Sequence, residues 1–193
     1  MKVADFKDGS VDIVIIIDAS GSMDIIGREV VDGFNQFIEK QLEDASDAFI
    51  TVSQFNIENK FIKKREKLSR QAMMKNEEYC PCGMTALFDS VKENIDFISN
   101  KTKNNKVIVC IITDGLDNSS KTKIEDIKEL ISKKEKDGWK FVFNGADFTE
   151  TSAKEAGFDN YRVFNPNAQG VFNTYTALGA DVSNYRTMSR KSL

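Results

Sequence analysis

Residues 11–22 read VDIVIIIDASGS. The run from Val11 to Ile17 is continuous and rich in β-branched side chains, the pattern of a strand buried on both faces. It ends in Asp18, and Ser20 and Ser22 follow at alternate positions around Gly21. Three oxygen donors are thus packed into five residues at the tip of a buried strand. Such a stretch is either an ordinary turn or half of a site.

Further along, KVIVCIITDG (106–115) repeats the design, a continuous apolar strand with an acid, Asp114, at its tip. Strand patterns also occur at 48–55, 59–68, 139–147 and 161–165. Between them lie helical patterns. Val30, Phe34, Phe37, Ile38 and Leu42 recur at spacings of three and four, which predicts a helix over about 25–43. Leu87, Val91, Ile95 and Ile98 predict another that starts near Thr85. Thr122 and Glu125 have the spacing of a capping box and open a helix marked by Ile124, Ile127, Leu130 and Ile131, which stops at Gly138. A short helix runs to Gly157. Pro166 suits the first turn of a final helix, with Phe172, Tyr175 and Leu178 on its core face.

Alternating strands and helices describe an α/β fold: a doubly wound, mostly parallel six-stranded sheet with helices on both faces. The strand at 59–68 follows its predecessor too closely for a crossover, so it should be an antiparallel edge strand. A chain of 193 residues is expected to form one domain over 1–193. Its core spans about 10–180, with the end of the last helix and a short basic tail (Arg186, Arg190, Lys191) at 181–193. A chain of this size buries roughly 70% of its unfolded surface and needs no staples.

Composition narrows the function. There is no histidine in the chain, which excludes Ser-His-Asp and Cys-His catalysis and every His-containing metal site. The formal charge of −3, from 27 basic and 30 acidic residues, gives no reason to expect nucleic-acid binding. No apolar run approaches the ~20 residues needed to cross a bilayer, and the N-terminal residues lack a secretory pattern. Three cysteines do not make a disulfide framework. A reduced, cytoplasmic protein is the expectation.

In open α/β sheets the ligand crevice lies at the carboxyl ends of the strands, where the winding direction switches. If the strands ending in Asp18 and Asp114 are neighbours across that switch, their carboxylates converge. GMTALFD (83–89) starts its helix at the same edge. Together the three segments offer Asp18, Ser20, Ser22, Thr85 and Asp114, all oxygen donors. A hard cation such as Mg²⁺ wants about six oxygens and keeps several waters. Zinc or copper would call for histidine or thiolate.

With these residues in view, the sequence resembles the von Willebrand factor type A domain, also known as the integrin inserted domain, over most of its length. The family's metal-ion-dependent adhesion site has Asp-x-Ser-x-Ser after the first strand, a threonine in a Gly-x-Thr-like turn and an aspartate in Thr-Asp-Gly. Asp18, Ser20, Ser22, Thr85 and Asp114 match these positions in order. Met84 stands where the family usually has a small residue. The resemblance implies the Rossmann-like type A fold, with Mg²⁺ (Mn²⁺ or Ca²⁺ as alternatives) held directly by the serines and threonine and through water by the aspartates. It also implies a partner protein that supplies a Glu or Asp to the ion. The expected function is therefore a metal-dependent adaptor module rather than an enzyme. The alternatives are a Mg²⁺-dependent phosphatase-like hydrolase, although Ser20 stands where its second acid belongs, and an RNA-associated module.

Several other features carry a plainer reading. Asp117, Asn118 and Asp147 are read as turn or cap residues in preference to rim ligands. Cys80 and Cys82 are loop thiols, with a redox-sensitive loop as the alternative. Lys60, Lys63, Lys64, Arg65, Lys67 and Arg70 are read as lysine and arginine protection of an edge strand rather than an anion patch. Arg186 with Arg190 and Lys191 is read as a solvated tail.

Overall fold

The first strand, β1 (Val11–Asp18), is buried along its whole length and divides its side chains between two cores. Val11, Ile13, Ile15 and Ile17 enter one cluster, and Val14 and Ile16 enter the other, as period-two alternation requires. The computed structural model describes residues 10–44, 46–102, 106–146 and 149–188. Among these, β2 (Ala48–Phe55), β3 (Asn59–Lys67), β4 (Lys106–Thr113), β5 (Lys140–Gly145) and β6 (Tyr161–Val163) complete one sheet. The strand order is β3-β2-β1-β4-β5-β6. β1 runs parallel to both β2 and β4, and β3 is the antiparallel edge. The sheet anticipated from the sequence is the one that forms, and its winding switches between β1 and β4.

Among the described residues, five α-helices cover the sheet. A 3-10 turn over Gly21–Ile26 leads into α1 (Gly27–Leu42), and α2 (Leu87–Ser99), α3 (Ile124–Lys136), α4 (Glu150–Glu155) and α5 (Ala168–Thr187) follow. Apolar residues of α1 and α5 share the core of the odd-numbered β1 side chains, and those of α2, α3 and α4 share the other. α1 and α5 approach closely at Gly33, where a Cβ would lie 2.5 Å from the Tyr175 ring. Only glycine fits there.

Four local expectations are corrected. The Thr122–Glu125 box does not form, because Lys123 holds the N-cap position without a side-chain cap. Instead Asp89 of α2 accepts the Lys121 and Thr122 amides at 2.9 and 2.8 Å, taking the Thr122 amide that the Glu125 carboxylate would have accepted in the box. Pro166 precedes the first turn of α5 rather than lying in it, since Asn167 caps the helix by accepting the Gly170 amide. Phe172 is 46% exposed. The inward stripe runs through Val171, Tyr175, Leu178 and Val182, and Phe172 sits one residue (about 100°) off it.

Arg186 is not a solvated tail residue. It is buried, donates to the carbonyls of Gln41 and Ser46 at 2.6 Å each, and pairs with Asp44 at 3.3 Å. Its planar donors satisfy carbonyls left open past the end of α1. Arg190 and Lys191 lie outside the described residues.

The basic run on β3 is divided among partners. Arg65 pairs with Asp12 at 2.8 Å, Lys63 with Glu78 at 3.6 Å and Lys67 with Asp47 at 3.4 Å. Lys64 and Arg65 together face the single residue Thr51, so β3 bulges there, and Arg65 takes a left-handed φ of 50°.

Candidate metal centre

All five candidate ligands lie at the carboxyl edge, around the switch between β1 and β4. Asp18 is the last residue of β1 and Asp114 follows the last residue of β4. Thr85 lies two residues before α2. Ser22 donates to Asp114 Oδ1 at 2.7 Å, and the Ser20 and Ser22 hydroxyls are 3.2 Å apart. Thr85 is tied in through Gly115, where a Cβ would sit 3.2 Å from Thr85 Oγ1 and 3.7 Å from Asp18 Oδ2. Glycine leaves that space open between the two oxygens.

Neither the Ser20 nor the Thr85 side chain caps a helix. Ser20 occupies the N-cap position of the 3-10 turn, yet its side chain makes no capping bond. The Thr85 hydroxyl has no hydrogen-bond partner among the described residues, although Thr85 is only 4% exposed. Asp18, Ser20 and Asp114 are buried as well, while Ser22 faces solvent.

Asp18 is the electrostatic centre of the site. Its Oδ1 accepts the Ser20 amide at 2.7 Å and its Oδ2 accepts the Thr113 hydroxyl at 2.5 Å. Burial pushes its carboxyl above the usual range. Thr113 and Ser20 oppose that rise and Asp114 adds to it. Among the described residues neither Asp18 nor Asp114 has an ion-pair partner. Two nearby buried carboxylates without a cation are expensive.

This donor set fits a hard divalent ion. It offers two carboxylates and three hydroxyls at one edge of the sheet, the hard oxygen donors such an ion takes. Among the described residues no three Cys, Asp or Glu side chains cluster as ligands, so neutral hydroxyls make up most of the set.

Two residues that hold the site, Tyr79 and Thr113, were not picked out from the sequence, and Asn118 and Asp117 were read there as turn or cap residues. The buried Tyr79 hydroxyl donates to the Asp18 carbonyl at 2.5 Å, and Thr113 orients the Asp18 carboxylate. Asn118 clamps Thr85 from both sides, accepting its amide at 2.9 Å and donating its own amide to the Thr85 carbonyl at 3.0 Å. Asp117 does serve as a cap, but for another element. It accepts the Phe88 amide at 2.9 Å in the first turn of α2. Asp147 lies outside the described residues. Cys80 and Cys82 are exposed free thiols, and the Cys82 amide donates to the Ala19 carbonyl at 2.8 Å.

No protein-family model matches this sequence, and no curated protein matches it. Solved structures do. A von Willebrand factor type A protein from Catenulispora acidiphila is 18% identical with a TM-score of 0.67, covering 89% of this chain and 42% of its own. Manganese-loaded TRAP from Plasmodium vivax is 16% identical with a TM-score of 0.67, covering 93% and 74%. The vWF domain of the type V pili tip protein Mfa5 from Porphyromonas gingivalis is 10% identical with a TM-score of 0.71, covering 96% and 99%. This chain spans 63% of the length of a minor pilin from Streptococcus sanguinis and 42% of the Catenulispora protein. The chain has the fold of von Willebrand factor type A domains.

Proposed function

We propose that this protein is a metal-dependent protein-binding module, an adaptor that docks an acidic residue of a partner on a divalent cation at the carboxyl edge of the sheet. One observation carries this reading. Asp18, Ser20, Ser22, Thr85 and Asp114 converge, and the described residues supply the two carboxylates with no ion-pair partner. Ser20, Ser22 and Thr85 would hold the ion directly, with Asp18 and Asp114 behind water. Mg²⁺ is the expected ion, and the manganese in the Plasmodium structure of the same fold supports a divalent one. When bound, the cation supplies a positive centre that neutral hydroxyls quench little, so it retains affinity for one more anionic oxygen.

Asp18 is poorly placed as a nucleophile. It is fully buried and each of its oxygens already accepts a hydrogen bond. That supports binding over phosphatase-like hydrolysis. Pairing of Lys63, Arg65 and Lys67 with acids likewise favours a protein partner over RNA. The odd cysteine count supports a reducing, cytoplasmic setting.

The test is titration calorimetry with Mg²⁺ and Mn²⁺ on metal-stripped protein, alongside Asp18→Ala and Thr85→Ala. One ion bound by the wild type and none by either variant is expected. No binding by the wild type at millimolar ion would sink the proposal.

A further inference from the structure

Large apolar side chains on a protein surface are ordinary when scattered and informative when gathered. Seven are exposed among the described residues: Ile25, Ile57, Met84, Leu116, Val163, Phe172 and Met188. Three of these stand on the segments that carry the candidate ligands, and a fourth stands on the neighbouring turn. Ile25 is three residues after Ser22, Met84 immediately precedes Thr85, and Leu116 is two residues after Asp114. Ile57 lies in the β2–β3 turn beside the tip of β1. Ile25 is 86% exposed and Ile57 60%, so none of these carbons is there to fill a core.

The four loops are fastened to one another through the loop that carries Met84. The Gly21 amide donates to the Gly83 carbonyl at 3.0 Å, joining it to the Ile25 segment. The Ala86 amide donates to the Asn56 carbonyl at 2.6 Å, and Asn56 Nδ2 donates to Cys82 Sγ at 3.3 Å, joining it to the Ile57 turn. The reciprocal Thr85–Asn118 bonds join it to the Leu116 loop. The apolar groups are therefore carried on a braced frame that pays little ordering entropy on binding.

We infer that Ile25, Ile57, Met84 and Leu116 form an apolar collar around the metal centre, and that its occupant is a partner-protein segment whose acidic residue is flanked by apolar side chains. This rests on the metal-binding reading above. Charge complementarity selects that occupant. A single cationic centre with exposed apolar side chains on the surrounding segments asks for one anion with apolar neighbours, and the exposed Asp24 and Glu58 beside Ile25 and Ile57 disfavour further acids around it. Apolar flanks in turn exclude water from the carboxylate–metal contact and strengthen it.

The experiment uses two cyclic hexapeptides, one presenting Leu-Glu-Phe and one Ser-Glu-Ser, plus a Leu-Gln-Phe control. Each is titrated by NMR into Mg²⁺-loaded protein and into an Ile25→Ser/Met84→Ser/Leu116→Ser variant. All three substitutions are at exposed positions, and metal titration of the variant by calorimetry checks that the centre is intact. The wild type should bind the Leu-Glu-Phe ring at least tenfold more tightly than Ser-Glu-Ser and should not bind the Gln control. The variant should bind both Glu rings alike, with an unchanged metal isotherm. Equal affinity for both flanks in the wild type, or a variant that still discriminates, overturns the collar while leaving the metal reading intact. A wild type that binds no metal strikes the underlying reading first. Metal-dependent self-association in sedimentation that the variant abolishes would assign the surface to a second copy and likewise overturn the proposal.

Discussion

β1 carries a buried aspartate at each end, and the two are treated differently. Asp12 and Asp18 are six residues apart, so they project from the same face of the sheet, and both are almost completely inaccessible. At the amino end Asp12 meets the Arg65 guanidinium at 2.8 and 3.3 Å. Nearby, Lys106 donates to the Tyr185 carbonyl at 2.6 Å and to Met188 O, and Arg186 to the carbonyls around Ser46. Every buried charge there is answered by the chain itself. At the carboxyl end the Asp18 carboxylate accepts an amide and a hydroxyl and meets no cation among the described residues, and Asp114 adds a second carboxylate beside it. The same strand is closed electrostatically at one end and left open at the other. On the metal-binding proposal, burial of charge is a stability device where the partner is internal, and the mark of a ligand site where it is not.

The comparison breaks most visibly under substitution of the two acids. Asp12→Ala leaves the Arg65 guanidinium, packed 4.3 Å over the Phe49 ring, without that carboxylate. It should lower stability by about 3–5 kcal/mol, read by urea unfolding in chelator. Asp18→Asn removes a carboxylate that has no cation, so in chelator its stability should stay within about 1 kcal/mol of wild type. The two then separate in the other direction on adding metal. Wild type and Asp12→Ala should each gain about 2.7 kcal/mol at a hundredfold excess over Kd, and Asp18→Asn should gain nothing. An Asp18→Asn protein as destabilised in chelator as Asp12→Ala would show that Asp18 is a structural acid, and the contrast would be lost.

The parts of this arrangement that were legible in the sequence share a physical reason. Asp18 and Asp114 each end a continuous apolar run, and the shortness of the β2–β3 connection forced an antiparallel edge, so sheet order and strand tips could be read locally. The supports of the site were not legible because they are contacts between distant segments. Tyr79 reaches Asp18 across 61 positions, Asn118 reaches Thr85 across 33 and Thr113 reaches Asp18 across 95. Thr113 in particular reads as an ordinary β-branched strand residue. The misreadings have a similar origin. The Thr122 cap lost to an acid on a neighbouring helix, and Arg186 was drawn inward by carbonyls at the end of α1, which no pattern in residues 181–193 announces.

A subtler change sharpens the open end of the strand. Gly115→Ala would place a methyl group 3.2 Å from Thr85 Oγ1 and 3.7 Å from Asp18 Oδ2, inside the space between two proposed ligands. The Mg²⁺ affinity should fall about tenfold, equivalent to about 1.4 kcal/mol, while unfolding in chelator shifts little. Calorimetry on the variant separates the two effects. A variant with unchanged affinity would show that the ion does not occupy that space.

The smallest expected effect on stability is at Ser20, and it has an internal control. A serine or asparagine at an N-cap normally contributes about 1 kcal/mol through its side-chain bond to a helix amide. Asn167 makes that bond, accepting the Gly170 amide at 2.9 Å, and Asn167→Ala should cost about that much. Ser20 holds the same kind of position without making the bond, its hydroxyl turned instead toward Ser22. Ser20→Ala should therefore change unfolding in chelator by less than about 0.5 kcal/mol yet weaken metal binding measurably. Equal losses at the two caps would return Ser20 to the role of an ordinary turn residue. Loss of affinity without loss of stability would mean that a capping position has been given over to a ligand.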